Sequence, residues 1–339
     1  MKRKRIAARS LFAVGAVSII LALAFSLSGK PSSEAAVPSG RTTILVAGLD
    51  DAVDNTDVLM LLSVDNASQE ITVLQIPRDT YFFADTAQNK INQIYPCARA
   101  RGKSADEALS ILTSSVSQVF GVPIDYYMAF RLSTVIAIID EIGGVELDIP
   151  TAIRHRNPYG EGYIEIPAGR QTLVGREAVE FLRFRAGYVD GDLGRMDAQK
   201  LLLGSLYRKV KNEMSLSFAV NLIPKLFHKL STDMPLKEQL ALAHSFYDRS
   251  GGYKVSFLTL PGEAIRGDVS QGVWYYVVNK AASEKALARY FGASGIGDET
   301  RLCDPSRVHF QNIYYDENRS YTVYTEDTVG DVAIKTKKK

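Results

Sequence analysis

Short runs of Val, Ile and Leu, each bounded by turn-forming residues, recur along the chain from residue 42 onwards. This pattern is typical of buried β-strands. It predicts strands at the following positions: 42–50, 57–65, 70–76, 125–131, 145–150 and 253–262. Pro77 ends the third of these runs because proline cannot donate to a sheet ladder, and Arg78 and Asp79 follow it directly.

Longer stretches with helical periodicity lie between many of these strands. The clearest covers 104–120, where Ser104 and Glu107 have capping-box spacing and Gly121 ends the helix. Further helices are predicted at 133–142, 195–212, 215–231, 235–249 and 282–292. Because strands and helices alternate, the predicted fold class is α/β, a three-layer α-β-α sandwich with a mixed central sheet.

The first residues predict a membrane anchor. Residues 1–10 are strongly basic, and residues 11–29 carry no charge. An uncharged run of this length can span a hydrocarbon core of about 30 Å as one transmembrane helix. The basic flank predicts that the N-terminus stays in the cytoplasm. A cleaved signal peptide is the alternative, since Ala35 and Ala36 follow at a distance.

With this anchor, the remainder of the chain would lie outside the cell. Residues 30–41 are rich in Pro and Ser and are predicted to be a linker. Residues 42–325 would form one extracytoplasmic domain, and the lysine-rich residues 326–339 a flexible basic tail. The cytoplasmic part is too short for a folded domain, which disfavours a transcriptional regulator.

Composition excludes several classes of function. The net charge of the 339 residues is only +2, so no overall field favours nucleic acid as a partner. The four histidines are scattered without HExxH spacing, which disfavours a zinc hydrolase, and no GxSxG motif occurs. Cys97 and Cys303 could form a disulfide outside the cytosol or remain as two free thiols.

One arginine-rich stretch predicts a phosphate site. A short helix is expected from Gly175, followed by FLRFR as an extended segment in which Arg183 and Arg185 share one face. Arg195 and Gln199 lie four residues apart near the start of the next helix and therefore share a helical face. Guanidinium groups and a helix N-terminus both favour phosphate oxygens. A solvated basic strand followed by an ordinary amphipathic helix is the alternative.

Carboxylates near two strand ends predict a cation site. Asp50 ends one predicted strand and Asp57 begins the next, so they can face each other across the loop. Paired carboxylates favour Mg²⁺, with Mn²⁺ possible in its place. Solvation of a turn is the alternative. Arg78 and Asp79 could likewise be only an ion pair that closes a turn.

The ordered set of these motifs resembles the LytR-CpsA-Psr (LCP) family of wall-polymer ligases. The resemblance covers roughly residues 43–210. The segments that carry it are ILVAGLD, NTDVLMLLSVD, ITVLQIPRDTYF, KINQIY, GVPIDYYMAF, DEIGGVELDIP, GREAVEFLRFR and GDLGRMDAQ. It implies a membrane-anchored extracytoplasmic α/β domain that transfers a polyprenyl-diphosphate-linked glycopolymer to a peptidoglycan hydroxyl and releases polyprenyl phosphate.

The resemblance also implies roles for individual residues. Asp50 and Asp57 match the Mg²⁺-associated acids. The residues that match the diphosphate-binding groups are Arg78, Lys90, Arg183, Arg185, Arg195 and Gln199. Asn55 and Ala198 stand where arginines are common in the family, so positive charge is missing at both positions. Asp79 is a candidate base for the acceptor hydroxyl, and a partner for Arg78 is the alternative role.

The expected enzyme is therefore a glycopolymer–peptidoglycan phosphotransferase in a Gram-positive type envelope, acting on a teichoic-acid or capsule type polymer. Two other functions remain open at this stage. The same pocket could hydrolyse a polyprenyl diphosphate, with water in place of the glycan hydroxyl. The chain could also be a non-catalytic wall-polymer binder or scaffold. The helices at 106–120 and 132–142 could line a groove for the prenyl tail, or simply pack in the core.

Overall fold

The computed structural model describes most of the chain after residue 39. The described residues are 40–49, 55–84, 86–157, 161–213, 229–239, 242, 252–268 and 272–337. The anchor predicted at 11–29, most of the linker, Asp50, and most of the helices predicted at 215–231 and 235–249 lie outside them. Within the described part, no helix is both long and apolar enough to span a membrane.

A mixed sheet forms the centre of the described fold. The strands are β1 (Arg41–Leu49), β2 (Thr56–Asp65), β3 (Glu70–Ile76), β4 (Tyr126–Arg131), β5 (Val145–Ile149), β6 (Ile153–Arg156), β7 (Tyr163–Ile166), β8 (Gly169–Leu173), β9 (Leu230–Thr232), β10 (Lys254–Thr259), β11 (Gly262–Asp268), β12 (Val273–Val278) and β13 (Val323–Thr325). Among described residues the central sheet has seven strands in the order β13-β10-β3-β2-β1-β4-β9. β1, β3, β4 and β10 run in one direction, and β2, β9 and β13 run in the other. Small two-stranded sheets pair β5 with β8, β6 with β7 and β11 with β12.

Both faces of the central sheet are covered. Ile44 and Val46 of β1 belong to one apolar core, whereas Leu45 and Ala47 belong to the core on the other face. Successive side chains of a strand point to opposite faces, so a strand buried on both sides is apolar over most of its length. The continuous apolar runs in the sequence follow from this arrangement.

Helices lie on each face of the sheet. Helices Leu132–Glu141, Gly175–Arg183 and Asp192–Glu213 pack into the first core. Helices Ile94–Ala100, Ala105–Phe120, Lys280–Phe291 and Val308–Tyr314 pack into the second. Short 3-10 helices occur at Ile91–Gln93, Glu299–Arg301 and Val329–Asp331. The predicted α/β class with a mixed central sheet is confirmed, and its helices form the two outer layers.

Three local expectations need correction. FLRFR is not a strand, because helix Gly175–Arg183 includes its first three residues and the extended Phe184 ends that helix. Residues 230 and 231, predicted as the end of a helix, lie in strand β9. The helices considered as two walls of one prenyl groove, Ala105–Phe120 and Leu132–Glu141, pack on opposite faces of the sheet. The buried side chains of these two helices belong to two separate cores.

Residues 326–337, the described part of the segment predicted as a flexible basic tail, contact the domain. Val329 is fully buried and would contact any Cβ placed on Gly204 of helix Asp192–Glu213, at 2.1 Å. Further on, the Val189 amide donates to the Lys335 carbonyl and the Lys337 amide donates to the Gly187 carbonyl, each at 2.8 Å. A buried apolar anchor and backbone pairing hold this segment against the domain.

Both cysteines are free thiols in the structure. Cys97 is half-buried, whereas Cys303 is buried, and burial, with the charges of Asp304 and Glu299, raises the pKa of the Cys303 thiol to about 11. Because the thiolate is the reactive form, we expect a thiol reagent at about pH 8 to label Cys97 quickly and Cys303 slowly. Labelling of Cys303 should accelerate as the pH rises towards 11. Equal rates, or no reactive thiol before reduction, would contradict this assignment; peptide mass spectrometry provides the measurement.

Candidate active site

Charged residues converge at one edge of the central sheet. The carboxyl ends of β1, β3 and β10 meet there because these strands are parallel. Arg78 and Asp79 follow β3, and Asp57 is the second residue of β2, which enters the sheet from the same edge. Ligand sites of open α/β sheets commonly lie outside the carboxyl ends of parallel strands. This edge is therefore the candidate active site.

Arg78 is the centre of the charged cluster. Its Nη1 donates to Asp57 Oδ1 at 2.8 Å, its Nε lies 3.6 Å from Asp79 Oδ2, and its Nη2 lies 3.6 Å from Asp192 Oδ1. Burial lowers the pKa of Arg78, but the carboxylates of Asp192, Asp79 and Asp57 more than offset this, so the net shift is upward. Arg78 is a fixed positive charge with a fixed orientation.

A second arginine lies beneath this cluster. Arg195 is only 1% exposed, and its Nη2 lies 2.6 Å from Asp192 Oδ1. Burial lowers the pKa of Arg195 to about 9, the Asp192 carboxylate opposes this change, and the like charges of Arg78 and Arg185 add to it. The guanidinium is still charged at neutral pH. A buried cation with two cationic neighbours is well suited to a multiply charged anion.

Two glutamines connect the helix that carries Arg195 to the sheet. Gln75 of β3 donates from Nε2 to Gln199 Oε1 at 3.1 Å and to the Met196 carbonyl at 3.2 Å. Both glutamines are buried. Gln199 also lines a small cavity together with Asp57, Arg78 and Arg195. The Gln75 contacts therefore fix the first turns of helix Asp192–Glu213 relative to the cluster.

An open cleft of about 700 Å³ lies over the cluster. Its wall contains the acids Asp79, Asp190, Asp192 and Glu263, the cations Arg185, Arg319 and Lys337, and the aromatic residues Trp274, Tyr275 and Tyr276. Arg185 is exposed and, within the described residues, makes no ion pair. Its guanidinium is thus available to a ligand in the cleft.

Lys90 and Asp79 form an ion pair beside Arg78. Lys90 Nζ donates to Asp79 Oδ1 at 2.7 Å, while Asp79 Oδ2 faces Arg78. Each carboxylate oxygen of Asp79 therefore already faces a cation. Two roles were possible for Asp79, a general base and an ion-pair partner of Arg78. This geometry favours the ion-pair partner.

Arg183 occupies a different position from Arg185. Arg183 is the last residue of helix Gly175–Arg183, and its Nη1 donates to Glu180 Oε1 at 3.1 Å. Glu180 is fully buried, and its other oxygen lies 2.9 Å from His155 Nε2. Arg183 is not part of the cleft wall. The structure therefore places Arg78, Arg195, Asp57 and Gln199 around the small cavity, Lys90 beside Asp79, and Arg185 in the wall of the adjoining cleft. It places Arg183 in an ion pair with Glu180.

The predicted metal ligands are only partly within the described chain. Asp50 lies outside it, and Asp57 is buried against Arg78. Among described residues, no group of three or more His, Cys, Asp or Glu side chains is arranged to hold a metal. Mg²⁺ commonly takes one or two protein carboxylates and fills its shell with waters and phosphate oxygens. The oxygen donors of Asp57 fit that requirement as one ligand.

The two departures from the family pattern differ in their surroundings. Ala198 is fully buried in the first core, so this position contributes no polar group to the cleft. Asn55 is half-buried directly before β2. Sequence reasoning missed Gln75, Asp192, Arg319 and Lys337. Only Asp192 carries a local signal, because Asp192 and Arg195 have the i, i+3 spacing of an ion pair on a helix.

Comparisons with known proteins agree on one family. The description of the matching family is "LytR_cpsA_psr family", and the match covers residues 25–290. The relative "Polyisoprenyl-teichoic acid--peptidoglycan teichoic acid transferase TagU" of Oceanobacillus iheyensis is 27% identical over 240 residues, covering 70% of this chain and 71% of the relative. "Cell wall biosynthesis protein LcpA" of Corynebacterium glutamicum is 28% identical over 299 residues, covering 79% of this chain and 57% of that longer protein.

Solved structures share the fold. The crystal structure of TagV from B. subtilis matches with a TM-score of 0.60 at 22% identity, covering 76% of this chain and 99% of that one. The structure described as "TagT bound to LIIa-WTA" matches with a TM-score of 0.56 at 20% identity, covering 79% of this chain and 99% of that one. The family match extends over well more than half of the chain and includes the charged cluster. This protein belongs to the LytR_cpsA_psr family.

Proposed function

We propose that this protein is a glycopolymer–peptidoglycan phosphotransferase. It attaches a polyprenyl-diphosphate-linked anionic glycopolymer, of the teichoic-acid or capsule type, to peptidoglycan and releases polyprenyl phosphate. The observation that carries the proposal is the charged cluster at the sheet edge in a chain of this family: Arg78 and Arg195 line its small cavity, and Arg185 lines the adjoining cleft, with Asp192 common to both. The names of its relatives, among them a polyisoprenyl-teichoic acid transferase, point to the same reaction.

The reaction requires one bond to form and one to break at phosphorus. The acceptor hydroxyl oxygen attacks the phosphorus that carries the glycan, the bond from that phosphorus to the bridging oxygen breaks, and polyprenyl phosphate leaves with the bridging oxygen. The hydroxyl proton passes to solvent or to the leaving phosphate. Negative charge develops on non-bridging oxygens and on the leaving group, so catalysis depends on positioning and on fixed positive charge.

The arginines supply that charge with little reorganisation. Arg78 and Arg195 are oriented by ion pairs with Asp57, Asp79 and Asp192, whereas Arg185 lines the adjoining open cleft. A planar guanidinium can bind two phosphate oxygens at once. Because carboxylates already orient the two inner arginines, little conformational entropy is lost when the diphosphate binds.

Mg²⁺ is part of the proposal, with Mn²⁺ as a possible substitute. Asp57 would hold it together with Asp50 and oxygens of the substrate. When bound, the ion would neutralise part of the diphosphate charge. Asp57 has a second role that the geometry supports directly, since it orients Arg78.

We also propose that the domain works outside the membrane. Residues 11–29 would form a single-pass anchor with residues 1–10 in the cytoplasm. The domain would then face the peptidoglycan of a Gram-positive type envelope, where both substrates are within reach of one membrane-anchored enzyme.

Product analysis tests the function. The full chain, in membranes that carry a polyprenyl-linked anionic polymer, is incubated with peptidoglycan and Mg²⁺, and the peptidoglycan is then washed and digested. A covalent polymer–peptidoglycan adduct, formed together with polyprenyl phosphate, is the expected result. Free phosphorylated polymer without adduct would instead indicate a polyprenyl-diphosphate pyrophosphatase. Binding of the polymer with no product would indicate a scaffold protein.

A further inference from the structure

A segment beyond the family match forms part of the cleft wall. The match ends at residue 290, yet Arg319 and Lys337 both line the cleft. The segment reaches it by pairing with the loop after Arg185, where Thr336 bridges to Tyr188. Lys337 adds two contacts to that loop: its amide donates to the Gly187 carbonyl at 2.8 Å, and its Nζ donates to the Ala186 carbonyl at 2.9 Å.

The Ala186 contact places the Lys337 ammonium next to the backbone that follows Arg185. Both side chains line the same cleft, and both are exposed. Two cations that line one cleft without a paired carboxylate favour an anion in that cleft. The backbone pairing of residues 335 and 337 with 187 and 189 holds the Lys337 backbone beside the loop that follows Arg185.

The acids of the cleft wall do not neutralise these two cations. Each of the four wall carboxylates has a different cation partner within the described chain, namely Asp79 with Lys90 at 2.7 Å, Asp190 with Lys335 at 3.9 Å, Asp192 with Arg195 at 2.6 Å and Glu263 with Arg319 at 3.4 Å. Among the same residues, neither Arg185 nor Lys337 makes an ion pair. Two cations of the cleft wall, Arg185 and Lys337, therefore have no carboxylate partner among the described residues.

We propose that Lys337 is a substrate-binding residue, whose ammonium acts with the Arg185 guanidinium to bind a phosphate group of the substrate. This inference rests on the proposed function and names a residue outside the part of the chain that matches the family. The phosphate belongs either to the diphosphate or to the first repeat of the polymer. An ammonium has three donors, and one is used by the Ala186 carbonyl, so two remain for phosphate oxygens.

Ligand binding can be measured with the chain's own fluorophore. Trp274 is the single tryptophan and lies half-exposed in the cleft wall. Geranylgeranyl diphosphate serves as the probe because it contains the diphosphate without a polymer. Lys337→Gln removes the charge at an exposed position, so the fold is retained. Lys337→Arg keeps the charge, and Lys285→Gln removes a lysine charge from the exposed side of helix Lys280–Phe291, outside the cleft wall.

We expect Lys337→Gln to weaken probe binding by roughly fivefold to tenfold at low salt, as for loss of one exposed charge-assisted contact. The dissociation constant of the probe for Lys337→Arg should stay within about twofold of the parent value. The dissociation constant for Lys285→Gln should equal the parent value. The loss in Lys337→Gln should shrink as salt increases, because the contact is exposed to solvent.

The outcomes distinguish a diphosphate ligand from a polymer phosphate. They also test the role of Lys337 separately from the proposed function. Weaker probe binding assigns Lys337 to the diphosphate. Unchanged probe binding, with an increased KM for transfer of the anionic polymer, assigns it to the polymer phosphate. Parent behaviour of Lys337→Gln in both assays would overturn the role of Lys337 and leave the proposed function intact. A parent protein that neither binds the probe nor transfers polymer would refute the proposed function instead.

Discussion

Replacing Arg185 with alanine is expected to slow polymer transfer by about a hundredfold, the usual cost of removing one group that stabilises transition-state charge. Arg185 lines the cleft, is exposed and makes no ion pair in the described part of the chain. Its removal therefore leaves no buried partner uncompensated. The thermal unfolding midpoint should remain that of the parent, within the small range typical of surface substitutions.

Arg176→Ala is the matched control for this experiment. Arg176 is an exposed arginine at the start of the helix that ends at Arg183, and it is not part of the cleft wall. Transfer rates are measured as adduct formed per unit time, and unfolding is measured on the same samples. If Arg185→Ala transfers polymer as fast as the parent and Arg176→Ala do, Arg185 is not an active-site residue. Arg185→Lys should recover only part of the rate, because an ammonium lacks the planar fork.

The sheet could be predicted because its strands have an unusually simple pattern. β1 and β2 are buried on both faces, so their central residues, 44–49 and 58–62, form continuous runs without a polar side chain that are clear in the sequence. Helix Ala105–Phe120 could be predicted equally well, since Ser104 and Glu107 form the predicted capping box. In these elements, local sequence and tertiary environment favour the same structure.

The position of Arg183 could not be predicted from its local pattern. The two-residue spacing of Arg183 and Arg185 suits a strand, but Ala178, Val179, Phe181 and Leu182 are all buried and follow helical spacing. The helix therefore continues to Arg183 and separates its side chain from that of Arg185. Buried Glu180 then pairs with Arg183, a contact that an extended reading of FLRFR does not provide.

Lys337 and Arg319 were beyond sequence reasoning for a different reason. Their contacts with Ala186, Gly187 and Gly262 connect positions that are distant in the chain. No periodicity or short motif specifies which loop a terminal segment will pair with. A lysine-rich end is usually frayed, and only the burial of Val329 and the backbone pairing at 335–337 show otherwise.

Replacing Arg78 with methionine is expected to abolish transfer and also to lower the free energy of unfolding by about 3 kcal/mol, the size observed when one partner of a buried ion pair is removed. Asp57 is 4% exposed and would lose the guanidinium at 2.8 Å. Asp79 keeps Lys90, and Asp192 keeps Arg195. The loss of stability should therefore arise mainly from the Asp57 carboxylate.

The double variant Arg78→Met, Asp57→Asn tests that origin. Asparagine is neutral and close in shape to aspartate, so no buried carboxylate remains without its guanidinium. Urea unfolding of the parent, both single variants and the double variant forms a double-mutant cycle. We expect the double variant to recover most of the stability lost in Arg78→Met, and to remain inactive because the arginine is absent. Simple additivity of the two single losses would mean that the Arg78–Asp57 contact does not stabilise the fold. Recovery of transfer in the double variant would mean that Arg78 is not required for the reaction.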